Sequence, residues 1–576
     1  MKKSLYTLIM VIAGLWQIQS HAFVTVGSDA ACDYNNLTDA YNDNDVFVRV
    51  TTQGAFSNQF EITKPKWFTG GYLNCTDAAN GDRSAEKSKW RSVFNNNVVR
   101  INAQQAAKAL IVIDGFEIFN GLNNDPEGAG GIEIEGNSQL LLAESVVYDN
   151  TGGTGGGIKV SGADAQLLIS NSIIRNNQSV SGGGIYCDNQ GTVTILGQSA
   201  INNNQATYGG GIYADTQCDI QMNSGDSLPP LQAEFGVLRN TAEVGGGALL
   251  LGGSQMEIKG SLEHPASIVL NMADTDEVES GGGVYLAGQG TRFEAINGRI
   301  ESNIGTFFGG GFSVQDQAVF VMRRLPGDCW DNERCSSLSN NILISVDGDT
   351  ESYGGAGDLF EGGVANISQT RIDGNLGNSV SGFNLDAYAY LRLESNLIIN
   401  NRHFNDDTAT TLIRVSGAPA EGSNVDMFYT TAANNTTSLP LINVRNDSQH
   451  TLNVFNNIID HSSSDILGFF DAGQNNSLMQ WDCLFTSESA SLTGNMGFIS
   501  LQDPMFVNKV QSNYRLSPAS PAIDACDESA FIGASYPDFG GRDRGFDEPG
   551  VANHLGPFDA GAYEANLDLI FQNGFE

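Results

Sequence analysis

The feature that most constrains the fold of this chain is a glycine triplet that recurs along its middle. Triplets begin at six positions, each followed by a short alternation of apolar and polar residues: Gly155, Gly182, Gly209, Gly245, Gly281 and Gly309. Their starting positions differ by 27, 27, 36, 36 and 28, so one short basic unit carries insertions of varying length. A repeat this short indicates a solenoid, because such a unit cannot bury its apolar face without stacking on its neighbours.

An asparagine marks a second position of the unit. In the first four units it stands five residues before the glycine triplet, at Asn150, Asn177, Asn204 and Asn240. Apolar and polar residues alternate before it, as in LLISNSIIRNN (167–177), which predicts strands. Stacked coils align equivalent residues, so we expect an asparagine ladder and glycines at corners that need positive φ or close backbone approach.

The predicted fold is all-β, a right-handed parallel β-helix with N- and C-terminal caps. Residues 96–502 would form the β-helix, with on the order of 15 coils stacked about 4.8 Å apart. Residues 23–95 are interpreted as the N-terminal cap and first coils, with a helical turn over Asn35–Tyr41, and residues 503–565 as a C-terminal closing segment. Residues 566–576 form a tail that is either a sorting tag or a disordered terminus.

The N-terminus predicts export. Lys2 and Lys3 precede an apolar stretch from Leu5 to Ile18, and Ser20-His21-Ala22 fits a small-x-small cleavage pattern. The apolar stretch is shorter than a membrane span. We therefore interpret residues 1–22 as a signal peptide and expect a secreted protein, extracellular or at the outer-membrane surface, without a transmembrane segment in the mature chain.

The chain contains 8 cysteines. An even number in an exported protein favours disulfides. No Cys-x-x-Cys pair occurs, which argues against structural zinc. Proximity along the chain suggests four pairs: Cys32 with Cys75, Cys187 with Cys218, Cys329 with Cys335, and Cys483 with Cys526.

The charge balance limits the partners. Asp and Glu number 66 against 29 Lys and Arg, a formal net charge of -37. Nucleic acid attracts basic surfaces, so it is excluded as a partner. Calcium is a candidate cofactor, since the acidic runs 274–277 and 347–349 offer oxygen ligands, although neither has the spacing of a complete calcium loop.

Three parts of the sequence resemble known proteins. The GGG-I and Asn-turn units resemble the right-handed β-helix repeats of bacterial surface proteins called polymorphic outer-membrane-protein-like. The segments DPMFVNKVQSNYRLSPASPAIDACD (503–527) and DAGAYE (559–564) are similar to the closing segment of secreted β-helix proteins with variable C-terminal anchors. The resemblance implies a secreted bacterial protein. It implies no particular activity, because this architecture hosts lyases, hydrolases, epimerases and adhesins alike. The final segment LDLIFQNGFE (567–576) resembles short terminal tags ending in Gly-Phe-Glu on exported proteins of Gram-negative bacteria, which implies a sorting or surface-retention role.

Candidate site residues come from a second spacing. Arg371, Arg392 and Arg414 follow one another at intervals of 21 and 22 along the chain. If that interval is one coil, they form a stripe with Asp373 and Glu394 on one outward face. Such a stripe would bind acidic sugars or supply a base with carboxylate partners; the alternative is a salt-bridged solvent face.

Two further groups of residues are weaker candidates. Asp460 and His461 form an acid–imidazole pair, but at the asparagine-turn position, where polar residues are expected anyway. Phe307, Phe308 and Trp330 would either stack on sugars or anchor loops.

The leading functional hypothesis is a secreted or surface-displayed, non-catalytic β-helix protein, adhesin-like or an envelope scaffold. Its partner would be an extracellular polysaccharide or a surface ligand, and we expect a monomer. The alternative is a polysaccharide lyase or glycoside hydrolase that acts on an acidic polysaccharide.

Overall fold

The computed structural model describes residues 22–565 with internal gaps, and only the backbone of Ala55–Ser57. The gaps are 54, 58, 94, 106, 225–234, 262–263, 275–280, 326–335, 345–353, 404–409, 419–420, 446–448, 462–464, 471–476, 488–490 and 529–536. Several predictions therefore lie outside the described residues: most of the signal peptide, Cys329 with Cys335, Trp330, the acidic run 347–349, most of the run 274–277, and the tail 566–576.

The described strands form four parallel ladders, and the chain passes through ladders 1, 2, 3 and 4 in turn as it completes a coil. Ladder 1 consists of Phe23–Val26, Phe47–Thr51, Lys66–Tyr72, Ala109–Asp114, Ser138–Ala143, Gln166–Ser170, Thr192–Leu196, Asp219–Asn223, Gln255–Lys259, Arg292–Ile296, Val319–Arg323, Val364–Ser368, Tyr390–Glu394, Asn424–Phe428, the first halves of Thr451–Asp460 and Leu478–Thr486, and Asn495–Met496.

Ladder 2 lies beside ladder 1 across a corner. It consists of Ala55–Ser57, Ser88–Arg91, Phe116–Phe119, Val146–Tyr148, Ile173–Arg175, Ala200–Asn202, Gly236–Leu238, Ala266–Val269, Gly298–Glu301, Ser337–Ser339, Arg371–Asp373, Leu397–Ile399, Thr431–Ala433, the second halves of Thr451–Asp460 and Leu478–Thr486, and Ile499–Ser500. The two long strands join ladders 1 and 2 into one 31-stranded sheet.

Ladder 3 has 8 short strands: Gln178–Ser181, Gln205–Tyr208, Thr241–Ala242, Met272–Ala273, Ile304–Gly305, Ile342–Leu343, Leu376–Gly377 and Arg402–His403. Ladder 4 has 14: Phe60–Ile62, Val99–Ala103, Ile132–Gly136, Ile158–Ser161, Ile185–Asp188, Ile212–Ala214, Ala248–Leu250, Val284–Ala287, Phe312–Gln315, Gly357–Leu359, Val380–Leu385, Thr411–Val415, Ile442–Arg445 and Leu467–Phe470.

This topology is that of a parallel β-helix, and it confirms the predicted fold class. Equivalent residues of neighbouring coils stand in register, as in Leu167 with Val193. Along each strand, inward apolar side chains alternate with outward polar ones, and the inward side chains form one continuous core from Val24 to Leu492. Because inward residues stack on their equivalents, the core has no boundary between coils.

The N-terminal end carries two short helices. Helix α1 (Leu37–Asn42) buries Leu37 and Ala40, and the Asn36 side chain caps it by accepting from the Asp39 N–H. Helix α2 (Cys75–Asn80) is capped in the same way by Asn74. The helical turn predicted near residues 35–41 is therefore present, two residues later than expected.

Asparagine side chains of successive coils form a continuous hydrogen-bonded stack at the corner between strand ladders 2 and 3. We call this stack the asparagine ladder. From Asn150 to Asn401, each Nδ2 donates to the Oδ1 of the next asparagine at 2.9–3.0 Å. Each Nδ2 also donates to a backbone carbonyl oxygen of the preceding coil. The stack comprises Asn150, Asn177, Asn204, Asn240, Asn271, Asn303, Asn341, Asn375, Asn401 and Asn435. All ten are buried, so these amides satisfy one another and the backbone without water.

The first glycine of each triplet turns the corner into ladder 4. Gly155, Gly182, Gly209 and Gly245 adopt φ of 65–69°, and Gly309 adopts 34°. Gly281 does not have a left-handed φ. Glycine is needed there because a Cβ would collide with the carbonyl oxygen of Val284. The third glycine faces the asparagine ladder, since a Cβ on Gly157 would lie 3.0 Å from the Nδ2 of Asn177.

The C-terminal segment, residues 503–565, lies along the corner between ladders 1 and 2, and we call it the C-terminal strap. It begins with an antiparallel hairpin (Phe506–Asn508 with Asn513–Leu516) around a 3-10 turn (Lys509–Gln511). The sequence predicts that this segment closes the end of the solenoid. It contacts corner residues of six successive coils: Arg324, Gln369, Ser395, Tyr429, Asn456 and Cys483.

Three of the predicted disulfides are confirmed. Cys32–Cys75, Cys187–Cys218 and Cys483–Cys526 have Cα–Cα distances of 5.1, 6.0 and 5.6 Å. The first ties α2 to the N-terminal strand region, and the last fastens the strap to a coil. Among the helices that the structure describes, none is long and apolar enough to cross a membrane.

Candidate functional site

A groove of about 320 Å³ lies on the outward face of ladder 1 and spans four successive coils. We call it the arginine groove. It is lined by Arg292, Glu294, Val321, Arg323, Asn366, Ile367, Ser368, Arg392 and Glu394.

Strand alternation brings these side chains to the outside. On Arg292–Ile296 the inward residues Phe293 and Ala295 belong to the core, so Arg292 and Glu294 face out. Parallel register then places Val321 beside Glu294, and Arg392 beside Asn366 on the last of the four coils. The groove is thus built from residues that lie far apart in the sequence.

Ion pairs organise the charged groups of the groove. Glu294 accepts from Arg292 Nη2 at 3.0 Å and from Arg323 Nε at 2.8 Å, so two guanidinium groups on neighbouring coils hold one carboxylate. Arg392 Nη2 donates to Glu394 at 2.8 Å, and its guanidinium lies 5.3 Å from the Phe428 ring centroid. The Glu394 side chain is buried, whereas those of Arg292, Arg323 and Arg392 are 40, 34 and 25% exposed. The arginines therefore meet solvent and the carboxylates lie beneath them.

The protonation states follow from these contacts. Burial raises the pKa of Glu294, but the hydrogen bonds from Arg292 and Arg323 outweigh it, and the pKa is lowered overall. Burial also disfavours the charged form of Arg392, yet the hydrogen bond to Glu394 raises its pKa. Glu294 is thus ionised and Arg392 charged at neutral pH.

The arginine stripe predicted from the spacings of 21 and 22 does not form. Arg371 lies on ladder 2 in register with Leu397, and Arg392 lies on ladder 1 in register with Asp426. Arg414 lies on ladder 4, with its guanidinium 5.0 Å from the Phe470 ring centroid. Equivalent positions of successive coils are farther apart along the chain than these spacings, so each step of the predicted stripe moves onto a different ladder.

Of the five predicted site residues, only Arg392 and Glu394 belong to the groove. Arg371 and Asp373 form their own pair at 2.6 Å on ladder 2. The pattern of an Arg followed two residues later by an acid correctly predicts that both side chains lie on one face of a strand. The same pattern at Arg292 and Glu294 would have pointed to the groove.

The weaker candidates among the described residues make contacts within the fold. Asp460 forms an ion pair with Lys509 of the strap at 2.7 Å. His461 is buried, and burial lowers its pKa. Phe308 stacks on Phe360 with centroids 5.0 Å apart, and Phe307 packs on it edge to face.

One group of metal-ligand type occurs among the described residues, formed by Asp29, Cys32 and Cys75. Its two sulfurs are joined in a disulfide. Thiolate is the form of cysteine that binds metals, so this group offers one carboxylate and carries no metal site.

Fold and groove together define the chain as a parallel β-helix protein with an arginine-rich groove on one outward face. A scan against protein-family models and a search of curated proteins find no match to the chain.

Proposed function

We propose that this is a secreted or surface-displayed β-helix protein that binds an acidic extracellular polysaccharide through the arginine groove, without cleaving it. The observation that carries the proposal is the convergence of Arg292, Arg323 and Arg392 in one groove. Guanidinium groups bind carboxylates through paired, charge-assisted hydrogen bonds.

The charge of the groove favours an anionic ligand. Three arginines face two glutamates there, whereas the whole chain has a net charge of -37. Glu294 engages one nitrogen of Arg292 and one of Arg323. Their other N–H groups are available to the carboxylates of a polysaccharide chain that lies across the coils. Because Glu294 already holds the two guanidinium groups in place, binding costs less side-chain conformational entropy.

The ionisation states favour binding over catalysis. A glycoside hydrolase needs a carboxylic acid with a raised pKa as proton donor, whereas the pKa of Glu294 is lowered by its two arginines. An arginine that acts as the base of a lyase must lose a proton, and the ion pair with Glu394 raises the pKa of Arg392. The groove therefore supports a scaffold or adhesin more than the alternative lyase or hydrolase.

Export is supported by the cysteines. Three disulfides fit an oxidising compartment, in agreement with the signal-peptide pattern of residues 1–22. The sequence resemblance to polymorphic outer-membrane-protein-like repeats supports a bacterial cell-surface location, as an adhesin-like protein of a Gram-negative bacterium.

The test is binding of the purified mature protein to polygalacturonate and alginate, with a neutral glucan for comparison. We expect binding to the acidic polymers that weakens with added salt. Arg323→Ala and Arg292→Ala should each weaken it about tenfold, because a hydrogen bond to a charged group contributes about 1.5–3 kcal/mol. Both side chains are partly exposed, so these variants should fold.

Arg175→Ala is the matched control, since Arg175 is an exposed outward residue on ladder 2. It should bind as the unmodified protein does. Equal binding by the Arg323 variant would contradict the groove as the binding site. Accumulation of unsaturated or reducing ends during incubation would instead establish the enzymatic alternative.

A further inference from the structure

Three successive strands of ladder 4 align oxygen-bearing side chains on their outward face. Ser313 is in register with Asp358, and Asp358 with Asn384. Their strand neighbours Phe312, Leu359 and Phe383 belong to the core, so the three side chains point away from it. They are nevertheless buried, with exposed fractions of 0, 0 and 1%.

The hydrogen bonding of this cluster is incomplete. Asn384 Nδ2 donates to Asp358 Oδ1 at 2.8 Å. Asp358 Oδ2, Asn384 Oδ1 and Ser313 Oγ are buried without a hydrogen-bond partner in the part of the chain that the structure describes. Each unpaired buried group costs about 1–3 kcal/mol.

Charged groups of both signs lie near this cluster. The pKa of Asp358 is raised to about 8, mainly by burial and with a smaller contribution from Asp386, while the hydrogen bond from Asn384 and the charge of Arg414 oppose the shift. Asp386 follows Asn384 by two residues, and Arg414 is in register with Asn384 on the next strand.

We propose that Ser313, Asp358 and Asn384 form a calcium-binding site that joins three coils. Carboxylate, amide and hydroxyl oxygens are ligands of the kind that Ca²⁺ takes, at about 2.3–2.6 Å. Neighbouring strands are about 4.8 Å apart, so oxygens on adjacent strands can lie on either side of one such ion. An ion beside Asp358 Oδ2 would supply the partner that the unpaired oxygens lack, and its binding would displace the proton that burial favours on Asp358 at neutral pH. The arginine groove is not part of this site, so either proposal can fail without the other.

The experiment measures Ca²⁺ binding by equilibrium dialysis of the full mature chain after removal of bound metal with a chelator. We expect a site that half-saturates at about 10⁻⁴–10⁻³ M, the range of extracellular calcium modules. Asp358→Asn should lose one equivalent of bound calcium, and Ser313→Ala should weaken that equivalent several-fold. Asp164→Asn, at an exposed turn, should retain it.

The Asp358→Asn variant keeps the shape of the side chain and removes its charge, so it should fold. Terbium luminescence gives a second reading, because Tyr285 is in register with Ser313 and would sensitise a bound ion. Loss of the signal in the Asp358 variant would support the site. Equal calcium binding and equal luminescence in both proteins, or none in either, would overturn the proposal and leave a buried water or a proton at Asp358.

Discussion

The Nδ2 of Asn240 donates a hydrogen bond of 3.0 Å to the Oδ1 of Asn271 on the next coil, and it also donates to the carbonyl oxygen of Ile201 on the preceding coil. The Oδ1 of Asn240 in turn accepts from the N–H and the Nδ2 of Asn204. One buried amide therefore makes four hydrogen bonds and connects three coils.

Asn240→Ala should destabilise the middle of the solenoid by about 2–4 kcal/mol, because it leaves several buried groups unpaired. Amide hydrogen exchange is the measurement, since long repeats do not unfold in two states. The loss of protection should be largest on the coils of Asn204 and Asn271. Asn223→Ala, at an outward position of ladder 1, is the control and should change little.

Gly184→Ala should disturb the same ladder from the other side. A Cβ on Gly184 would lie 2.6 Å from the Gly211 carbonyl oxygen and 3.0 Å from the Asn204 Nδ2. Successive coils would have to separate, so we expect a lower melting temperature and poor recovery of soluble protein. Gly162→Ala introduces a Cβ with nothing within 4 Å, at a φ of 109°, and should cost only the backbone strain of about 1–2 kcal/mol. Equal effects of the two substitutions would contradict this account.

The disulfide between Cys483 and Cys526 should hold the strap against its coil. In the double variant Cys483→Ala/Cys526→Ala we expect faster limited proteolysis within residues 503–565, with the β-sheet signal in circular dichroism retained. Removing the bridge between Cys187 and Cys218, which lies within the solenoid core, should instead destabilise the coils by about 2–5 kcal/mol. A strap that resists protease equally well without its bridge would show that its other contacts suffice.

The strap should loosen as pH rises. Burial raises the pKa of Glu564 to about 7, with Arg544 opposing the shift, and the pKa of Asp559 beside it is also raised. The folded strap therefore binds more protons than the unfolded chain between the ordinary pKa of a glutamate and about 7, so its stability falls as pH rises through that window. Protease protection of residues 537–565 should be greater at pH 5 than at pH 8.

Glu564→Gln imitates the protonated acid and should flatten this pH dependence. Glu127→Gln, in a turn near the start of the asparagine ladder, is a control and should keep it. Protection that increases with pH would contradict the assignment of the proton to this pair.

The sequence predicted those features that recur in every coil. Asn177 and Gly182 repeat with the unit, because each coil needs the same corner and the same amide partner. The Arg-x-Glu pairs at 292–294 and 392–394 are visible in the sequence, but the sequence does not show that they meet in one groove. Its arginines at 292, 323 and 392 meet through the parallel register of ladder 1. Insertions make successive coils unequal in length, so no constant spacing in the sequence connects these residues.

The position of the strap was unpredictable for a similar reason. Arg324 donates to the carbonyl oxygen of Gly540, 216 residues away, and Gln369 to that of Asp538, 169 residues away. These contacts join a repeating to a non-repeating part of the chain, and no periodic signal connects the two. The sequence shows that residues 503–565 lack the repeat, but not which face they cover.

A rod of stacked coils has a mechanical weakness. Strands run across its axis, so a pull along the axis acts directly on the hydrogen bonds between coils and can separate them one at a time. The strap crosses the five junctions between six successive coils near the C-terminal end, and the Cys483–Cys526 bond anchors it covalently. Axial force on that part of the rod is carried by continuous polypeptide as well as by strand pairing, so under tension the rod should yield first in the coils that the strap does not reach.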